Sequence, residues 1–388
     1  MRSCAAKSLG TFPRAGKIPQ KNKEEKSSAF KHWISEAYLQ RLAKAIRGVK
    51  PDYDTQALLS LKKALAPLEL KARVNLVSET LHATLEKKEA TAVLLKAVRS
   101  ADLSGFDLWP ITHFIERYKV DDFNESMDAL HELTQRFTAE FAIRPFLIRH
   151  EKQTLARLSS WATDKSHHVR RLVSEGSRPR LPWGSRLPRF IEDPGLTIKL
   201  LEKLKYDPEL YVRKSVANHL NDIAKDHPDI VVTTLLKWNA DARSEENRER
   251  IRWITKHALR SLIKSAHPGA LKLMGVKPIG KSISVSKIKL TKNRISLNQH
   301  LEFAFEIKAK TSSKLIVDYV VHHRKSGGGT SEKVFKLKTI QIKAGESLKI
   351  SKRHPVKVIT TRKYYAGDHW IEIQVNGKRF SKARWVLG

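Results

Sequence analysis

Val169-Arg170-Arg171 and Val212-Arg213-Lys214, 43 residues apart, decide how the larger part of this chain is read. Eight residues before each valine an apolar stretch ends, 155–161 in one case and 198–204 in the other. His227-Pro228 recurs as His267-Pro268 at an offset of 40. A third copy runs from Leu235-Leu236-Lys237-Trp238 to Ile251-Arg252-Trp253, with a polar insertion around 243–247. From residue 30 to 274 apolar residues recur at spacings of three and four with few β-branched runs, so each unit reads as a pair of helices.

A period near 40 residues with two helices per unit predicts HEAT-like repeats, stacked into an α-solenoid with one concave face. From residue 277 the pattern changes. Ser282-Ile283-Ser284-Val285, the run Leu301-Glu302-Phe303-Ala304-Phe305-Glu306-Ile307 and Trp370-Ile371-Glu372-Ile373-Gln374-Val375 alternate apolar and polar residues, as half-buried strands do. Gly327-Gly328-Gly329 and Asn376-Gly377 supply hairpin turns. The expected fold is therefore mainly α: a basic, disordered tail at 1–30, HEAT-like repeats at 31–276, and a small all-β immunoglobulin-like sandwich at 277–388 that lacks the cysteine pair of antibody domains.

The 388 residues carry 74 Lys and Arg against 40 Asp and Glu, a net charge of +34. Such a field concentrates polyanions, with nucleic acid first among them. The region 277–388 alone has 25 Lys and Arg against 7 Asp and Glu, a surplus of 18, so it too should meet DNA. No run approaches the roughly 18 apolar residues of a spanning helix, which argues against a membrane partner. The first 30 residues lack the apolar core of a secretory signal. Cys4 is the only cysteine, which excludes an internal disulfide and fits a reducing compartment.

A helical wheel built on the repeats locates the polar face. With Val212 at zero, Val216, Ala217, Leu220, Ile223 and Ala224 fill an arc up to about 140°, and Tyr211, Ser215, Asn218, Asp222 and Lys225 stand opposite. Glu175 follows Val169 by six residues, as Asn218 follows Val212 and His257 follows Ile251, so all three project in one direction. Aligning Phe141 with Val169 brings Glu140 into the same sector. Carboxylates on a helix face are usually just solvated or paired. Here they recur on a face expected to meet a polyanion, where they weaken binding; that points to chemistry or to a structural ion pair.

Between the two best repeats lies Ser177-Arg178-Pro179-Arg180-Leu181-Pro182-Trp183-Gly184-Ser185-Arg186-Leu187-Pro188-Arg189. Its prolines stiffen the loop, Arg178, Arg180, Arg186 and Arg189 can fork onto phosphates, and Trp183 can stack on a base or deoxyribose. Alternatively, Trp183 fills a gap between repeats and the arginines cap helix ends. Other chemistries leave no mark: His167-His168 and His322-His323 lack the ligand spacing of a zinc site, and neither a phosphate-binding loop nor a nucleophile elbow occurs.

Two strings, Val-Ser-Glu-Gly-Ser-Arg-Pro-Arg-Leu-Pro-Trp-Gly at 173–184 and Ser-Val-Ala-Asn-His-Leu-Asn-Asp-Ile-Ala-Lys-Asp-His-Pro-Asp at 215–229, resemble the AlkC branch of HEAT-like DNA alkylation-repair glycosylases. The resemblance covers residues 30–274, and the all-β tail is similar to an immunoglobulin-like extension carried by one subgroup of that family. It implies hydrolysis of the N-glycosidic bond of cationic bases such as 3-methyladenine and 3-methylcytosine, in double-stranded DNA, with no metal or organic cofactor. It implies Glu175, Trp183 and Asp222 as active-site residues, with Glu140 on a weaker motif at 137–144. Asn218 and His257 join the arginines as expected lesion or DNA contacts. A monomer in the bacterial cytoplasm, at the nucleoid, completes the expectation. A HEAT-repeat scaffold that binds nucleic acid or an acidic protein without catalysis is the alternative.

Overall fold

The computed structural model describes residues 32–359 and 362–388. The basic tail expected at 1–30 lies outside them. The described residues form two compact units, divided between Thr138 and Ala139.

The first unit is helical. Its elements are α1 (Glu36–Val49), the short α2 (Gln56–Leu59) and α3 (Lys62–Leu65), α4 (Leu70–Thr84), α5 (Ala90–Ser100), α6 (Trp109–Tyr118) and α7 (Phe123–Thr134). Ser35 opens α1 with its hydroxyl accepting from the Tyr38 amide, and Glu36 lies in the first turn, where the helix dipole favours an anion. α1 packs on α5, and α4 on α6.

The second unit begins with α8 (Arg144–Arg149), α9 (Glu151–Trp161), α10 (His167–Gly176), the short α11 (Pro188–Glu192), α12 (Gly195–Leu204), α13 (Leu210–Ile223), α14 (Pro228–Asp241), α15 (Glu245–Ala258), α16 (Arg260–Lys264) and α17 (Pro268–Leu273). α13 packs between α10 and α15, so these three form one row. α9, α12 and α14 pack against the row as their respective pairing helices. Val169, Val212 and Ile251, the aligned apolar positions, are all fully buried. The recurring arginine has a job within the repeat. Arg170 donates to the carbonyls of Asp164 and Lys165, and Arg213 to those of Asp207 and Pro208, so each guanidinium holds the turn that leads into its own helix. Arg170 also forks onto Asp207 of the next repeat at 2.6 and 3.1 Å, which ties neighbouring units together.

Among the described residues nine strands follow, β1 (Ile283–Val285), β2 (Lys289–Leu290), β3 (Arg294–Ile295), β4 (His300–Ala309), β5 (Ser313–Arg324), β6 (Thr330–Ile342), β7 (Ser347–Pro355), β8 (Gly367–Val375) and β9 (Lys378–Leu387). In one sheet β4 pairs with β7 on one edge and with β1 and β2 in turn on the other. The second sheet has the order β3-β9-β8-β5-β6. Leu301, Phe303, Phe305 and Ile307 of β4 meet Val317, Tyr319 and Val321 of β5 and Ile371, Ile373 and Val375 of β8 in one core, as the alternation predicts. The expected turns are also in place: Gly327-Gly328-Gly329 lies at the β5–β6 tip and Asn376-Gly377 at the β8–β9 tip, with positive φ at Gly328, Gly329, Asn376 and Gly377.

Alternation fails in β5, where every residue from Leu315 to His323 is buried. At Ile316 the reason is a second cover. Ile316 packs with Leu271 and Val276 of the last repeat, on the face of β5 turned away from the sandwich core. Gln374 donates to the Lys264 carbonyl at 3.1 Å, and the Asn376 amide bridges the Ile316 N–H and the carbonyls of Lys277 and Lys314. Gly377 approaches so closely that a Cβ there would lie 2.2 Å from that of Ala266. The helix-to-strand change at residue 277 is thus a packed joint inside one unit, and the division between units falls within the helical part instead.

Two buried histidines make the strands acid-sensitive. Burial, and then the charge of Arg362, pushes His323 down to about 3 and His354 down to about 4. Both values lie below the ordinary value near 6.5, so protonation favours the unfolded chain. Stability should be complete above pH ~6.5 and fall as pH drops toward the folded values, by about 2 kcal/mol per histidine at pH ~5. Trp385, fully buried and stacked on His369 at 4.5 Å, reports the change. Urea unfolding followed by tryptophan fluorescence, in a variant whose other seven tryptophans are Phe, should show a midpoint that falls between pH 7 and 5; a constant midpoint would sink the assignment.

Candidate active site

Glu175 stands on the last turn of α10 and Asp222 on the last turn of α13, in consecutive repeats. The wheel placed them in one sector, and the structure brings them to one guanidinium. Arg178 donates from Nη1 to Glu175 at 2.6 Å and from Nε to Asp222 at 2.8 Å. Around this core the charges alternate. Arg171 binds Glu140 at 2.8 Å and lies 3.8 Å from Glu175, while Lys225 donates to the other oxygen of Asp222 at 2.9 Å. The Ser215 hydroxyl donates to Glu175 at 2.6 Å. The Arg171 guanidinium sits under the Tyr211 ring, 4.8 Å from its centre. Burial opposes the charge on Arg171 and Arg178, but the acids beside them outweigh it and carry both above the ordinary guanidinium value.

Several placements differ from the sequence expectation. Glu175 and Asp222 are buried rather than solvated, because Arg178 and Ser177 fold back over the gap between α10 and α13. Arg178 is therefore no phosphate contact in this conformation: both its edges are taken by carboxylates. Arg180 forks onto Asp226 with two 2.8 Å bonds, so its planar edge is also occupied. Arg189, on α11, lies 3.6 Å from Asp193 and 4.0 Å from Glu151, and Arg186 is exposed. Glu140 sits in a turn before α8 rather than on a helix, so its wheel angle does not apply, yet it joins the cluster through Arg171. Asn218 and His257 meet at Arg260, which donates to the Asn218 side chain and to the His257 carbonyl. The His257 ring stacks on Trp253 at 3.7 Å.

Trp183 does not fill a gap between repeats. It is 82% exposed and has φ +67°, a left-handed conformation that a bulky residue rarely adopts without something holding it. That support comes from Arg144, buried at the start of α8. Its Nη1 donates to the carbonyls of Gly176 at 2.9 Å and Arg178 at 2.8 Å, its Nε to that of Ser185 at 2.7 Å, and its Nη2 to Ser185 as well. One side chain thus caps the end of α10 and pins both ends of the loop. The glycines of the motif fit around it. A Cβ on Gly184 would come 3.3 Å from the Arg144 side chain, and one on Gly176 only 2.5 Å from Ile143.

The sequence does not mark Arg144, Arg171 or Arg260 as site residues, although Arg171 stands two residues after the diagnostic valine in the first triplet, and it places Lys225 on the polar arc without a role. His219, fully buried on α13, was also passed over. Burial lowers it to about 4, so the neutral ring donates from Nδ1 to the Ser174 carbonyl at 2.9 Å and joins α13 to α10 beside the acids. Among the described residues no group of three or more His, Cys, Asp or Glu is placed to hold a metal ion, and no helix is long and apolar enough to cross a membrane.

A basic helical-repeat array with an acid pair at a shared guanidinium, followed by an immunoglobulin-like sandwich, defines a class of protein that meets comparison at three points. Residues 284–388 match the family model for the C-terminal Ig-like domain of the uncharacterised protein YhaZ. YhaZ of Bacillus subtilis (strain 168) is 34% identical over 350 residues, 90% of this chain and 96% of its own length. The solved structure of Pseudomonas fluorescens alkylpurine DNA glycosylase AlkC, bound to DNA containing an abasic site analog, is 39% identical with a TM-score of 0.86, covering 92% of this chain and 99% of that one. The chain belongs to the AlkC family.

Substituting Arg144 by Met would leave the interior carbonyls of Gly176 and Arg178 short of a donor, at a cost of about 1–3 kcal/mol for each that stays unpaired, and would release the part-buried carbonyl of Ser185. The loop 179–187 should then loosen, and limited trypsin digestion should cut at Arg180 and Arg186 several times faster than in the parent protein. Equal cutting rates would remove Arg144 from this role.

Proposed function

We propose that the protein is a DNA glycosylase that hydrolyses the N-glycosidic bond of cationic alkylated bases, 3-methyladenine and 3-methylcytosine among them, acting as a monomer on double-stranded DNA at the bacterial nucleoid. The observation that carries this reading is the convergence of Glu175 and Asp222 on Arg178, inside a chain of net charge +34. Surplus positive charge draws the DNA backbone, and the buried acids supply what the cations cannot: negative charge for a sugar that becomes an oxocarbenium ion as the base departs.

A base alkylated on a ring nitrogen already carries positive charge and leaves without being protonated. The chain's task is to stabilise the sugar cation and to orient or deprotonate a water, and Asp222 and Glu175 take that work with Glu140 supporting. Trp183, displayed on a loop fixed by Arg144, packs against the lesion nucleotide. Neutral lesions such as uracil are poorer leaving groups and should be spared. The relation to AlkC, an alkylpurine DNA glycosylase, supports the enzyme over a non-catalytic scaffold.

Asp222→Asn and Glu175→Gln should each slow release of methylated base from duplex DNA by about 10²-fold or more, with DNA affinity little changed. Release at the parent rate from both variants would end the catalytic assignment.

The basic residues at the joint between the last repeat and the strands give a second test. Lys256, Lys264, Lys336 and Lys338 line a cleft of about 510 Å³ there. Replacing all four by Gln should flatten the slope of log affinity against log salt by about 0.9 for each phosphate that is no longer neutralised. An unchanged slope would place the DNA elsewhere.

A further inference from the structure

We propose that Arg178 is a positioning residue of this active site: forked between Glu175 and Asp222, it keeps both carboxylates charged and at a fixed spacing, ready to face a cation. The proposal rests on the glycosylase reading above and assigns to Arg178 a part that its place in an arginine-rich loop does not suggest.

The two acids come from different repeats and are both buried, at 6% and 2% exposure. Like charges brought together away from water repel, and without a cation shared between them a proton on one carboxyl would relieve the repulsion. Each acid has one further cation beside it, but neither of those reaches both acids. On α10, Arg171 is held by Glu140 at 2.8 Å and stands 3.8 Å from Glu175. Following α13, Lys225 reaches only Asp222, and on α13 itself Ser215 and His219 bring no charge at neutral pH while Tyr211 covers Arg171. Arg260, at the start of α16, donates to Asn218 and the His257 carbonyl. Arg180 is paired with Asp226. Among the described residues, Arg178 is the cation that hydrogen-bonds both acids.

A guanidinium suits this part and an ammonium does not. Nε and Nη1 point along fixed directions of one plane, so binding both carboxylates sets the distance between them. The backbone of Arg178 is fixed as well, its carbonyl held by Arg144 at 2.8 Å. Folding the residue inward removes it from the reach of phosphate, so its loss should strike the reaction and spare DNA affinity.

The test uses the full chain and the variants R178M, R178K and the double variant E175Q/R178M. Base release at saturating enzyme is followed between pH 5.5 and 9, with DNA affinity and thermal melting measured across the same range. In R178M the release rate at pH ~7 should fall about 10²-fold while affinity stays within about threefold. The remaining rate should climb with pH, where the parent rate is level, because one acid must now lose a proton first. Its melting deficit against the parent should widen from pH 5.5 to 8. A carboxyl whose folded pKa is raised stabilises the fold only while protonated, and that contribution is lost as pH rises through the folded value. Removing one of the two charges in E175Q/R178M should abolish the widening. R178K, able to reach one acid at a time, should fall between, and it carries the same comparison if R178M does not fold.

A saturated rate equal to the parent's with weakened DNA affinity would make Arg178 a phosphate contact and overturn the proposal. A melting deficit constant with pH would reduce it to packing and overturn it equally. The melting arm needs no enzymatic activity. A parent protein that releases no base, with a deficit that still widens, would therefore refute the glycosylase reading and leave the charge-holding role standing.

Discussion

Backbone carbonyls that end a helix inside a protein must find donors; at the end of α10 His219 meets that of Ser174, and Arg144 meets those of Gly176 and Arg178 just beyond it. The site is arranged around that requirement. Because Gly176 and Arg178 are held by one guanidinium, the chain turns sharply after Glu175, and Arg178 enters the space between two repeats. Because Ser185 is held by the same group, the segment between returns to its starting point and Trp183 is carried outward at its tip. Glycine at 176 and 184 follows from how closely Ile143 and Arg144 approach. A long side chain from the preceding helix thus decides where an acid, a cation and an indole of the next segment stand.

Much of this architecture was legible in the sequence. Val169 and Val212 mark the buried side of α10 and α13 because a helix of 3.6 residues per turn leaves no other way to bury them, and the same periodicity put Glu175 and Asp222 on a common side. Strand β4 obeys its alternation because one face meets the sandwich core and the other is only partly covered. Strand β5 does not, and at Ile316 its outer face is covered by Leu271 and Val276, residues some 40 positions away. Glu140 was reached by extending helical geometry into a turn. It nonetheless meets the cluster through Arg171.

Pairing was what the sequence could not reveal. Counting arginines in the segment after α10 gives a basic loop, and a basic loop in a basic protein reads as a phosphate grip. Whether a guanidinium faces solvent or a carboxylate depends on which acids lie across the groove, and that is a matter of tertiary structure. Arg178 and Arg180 are both answered by acids at the end of or just after α13, Asp222 and Asp226. The unpaired positive charge is accordingly smaller on this loop than composition suggests, while residues 277–388 hold a surplus of 18.

The seat of Gly377 against Ala266 has a bearing on how that surplus is presented. With no room for even a methyl group, and with Asn376 threaded between strand and repeat, the β8–β9 tip acts as a keystone rather than a hinge. The lysine-rich strands are then no tethered arm searching for a duplex. They keep one bearing relative to the last repeats, so a nucleic acid that touches both must conform to the protein, and the strain of any mismatch falls on the more pliable partner, the double helix.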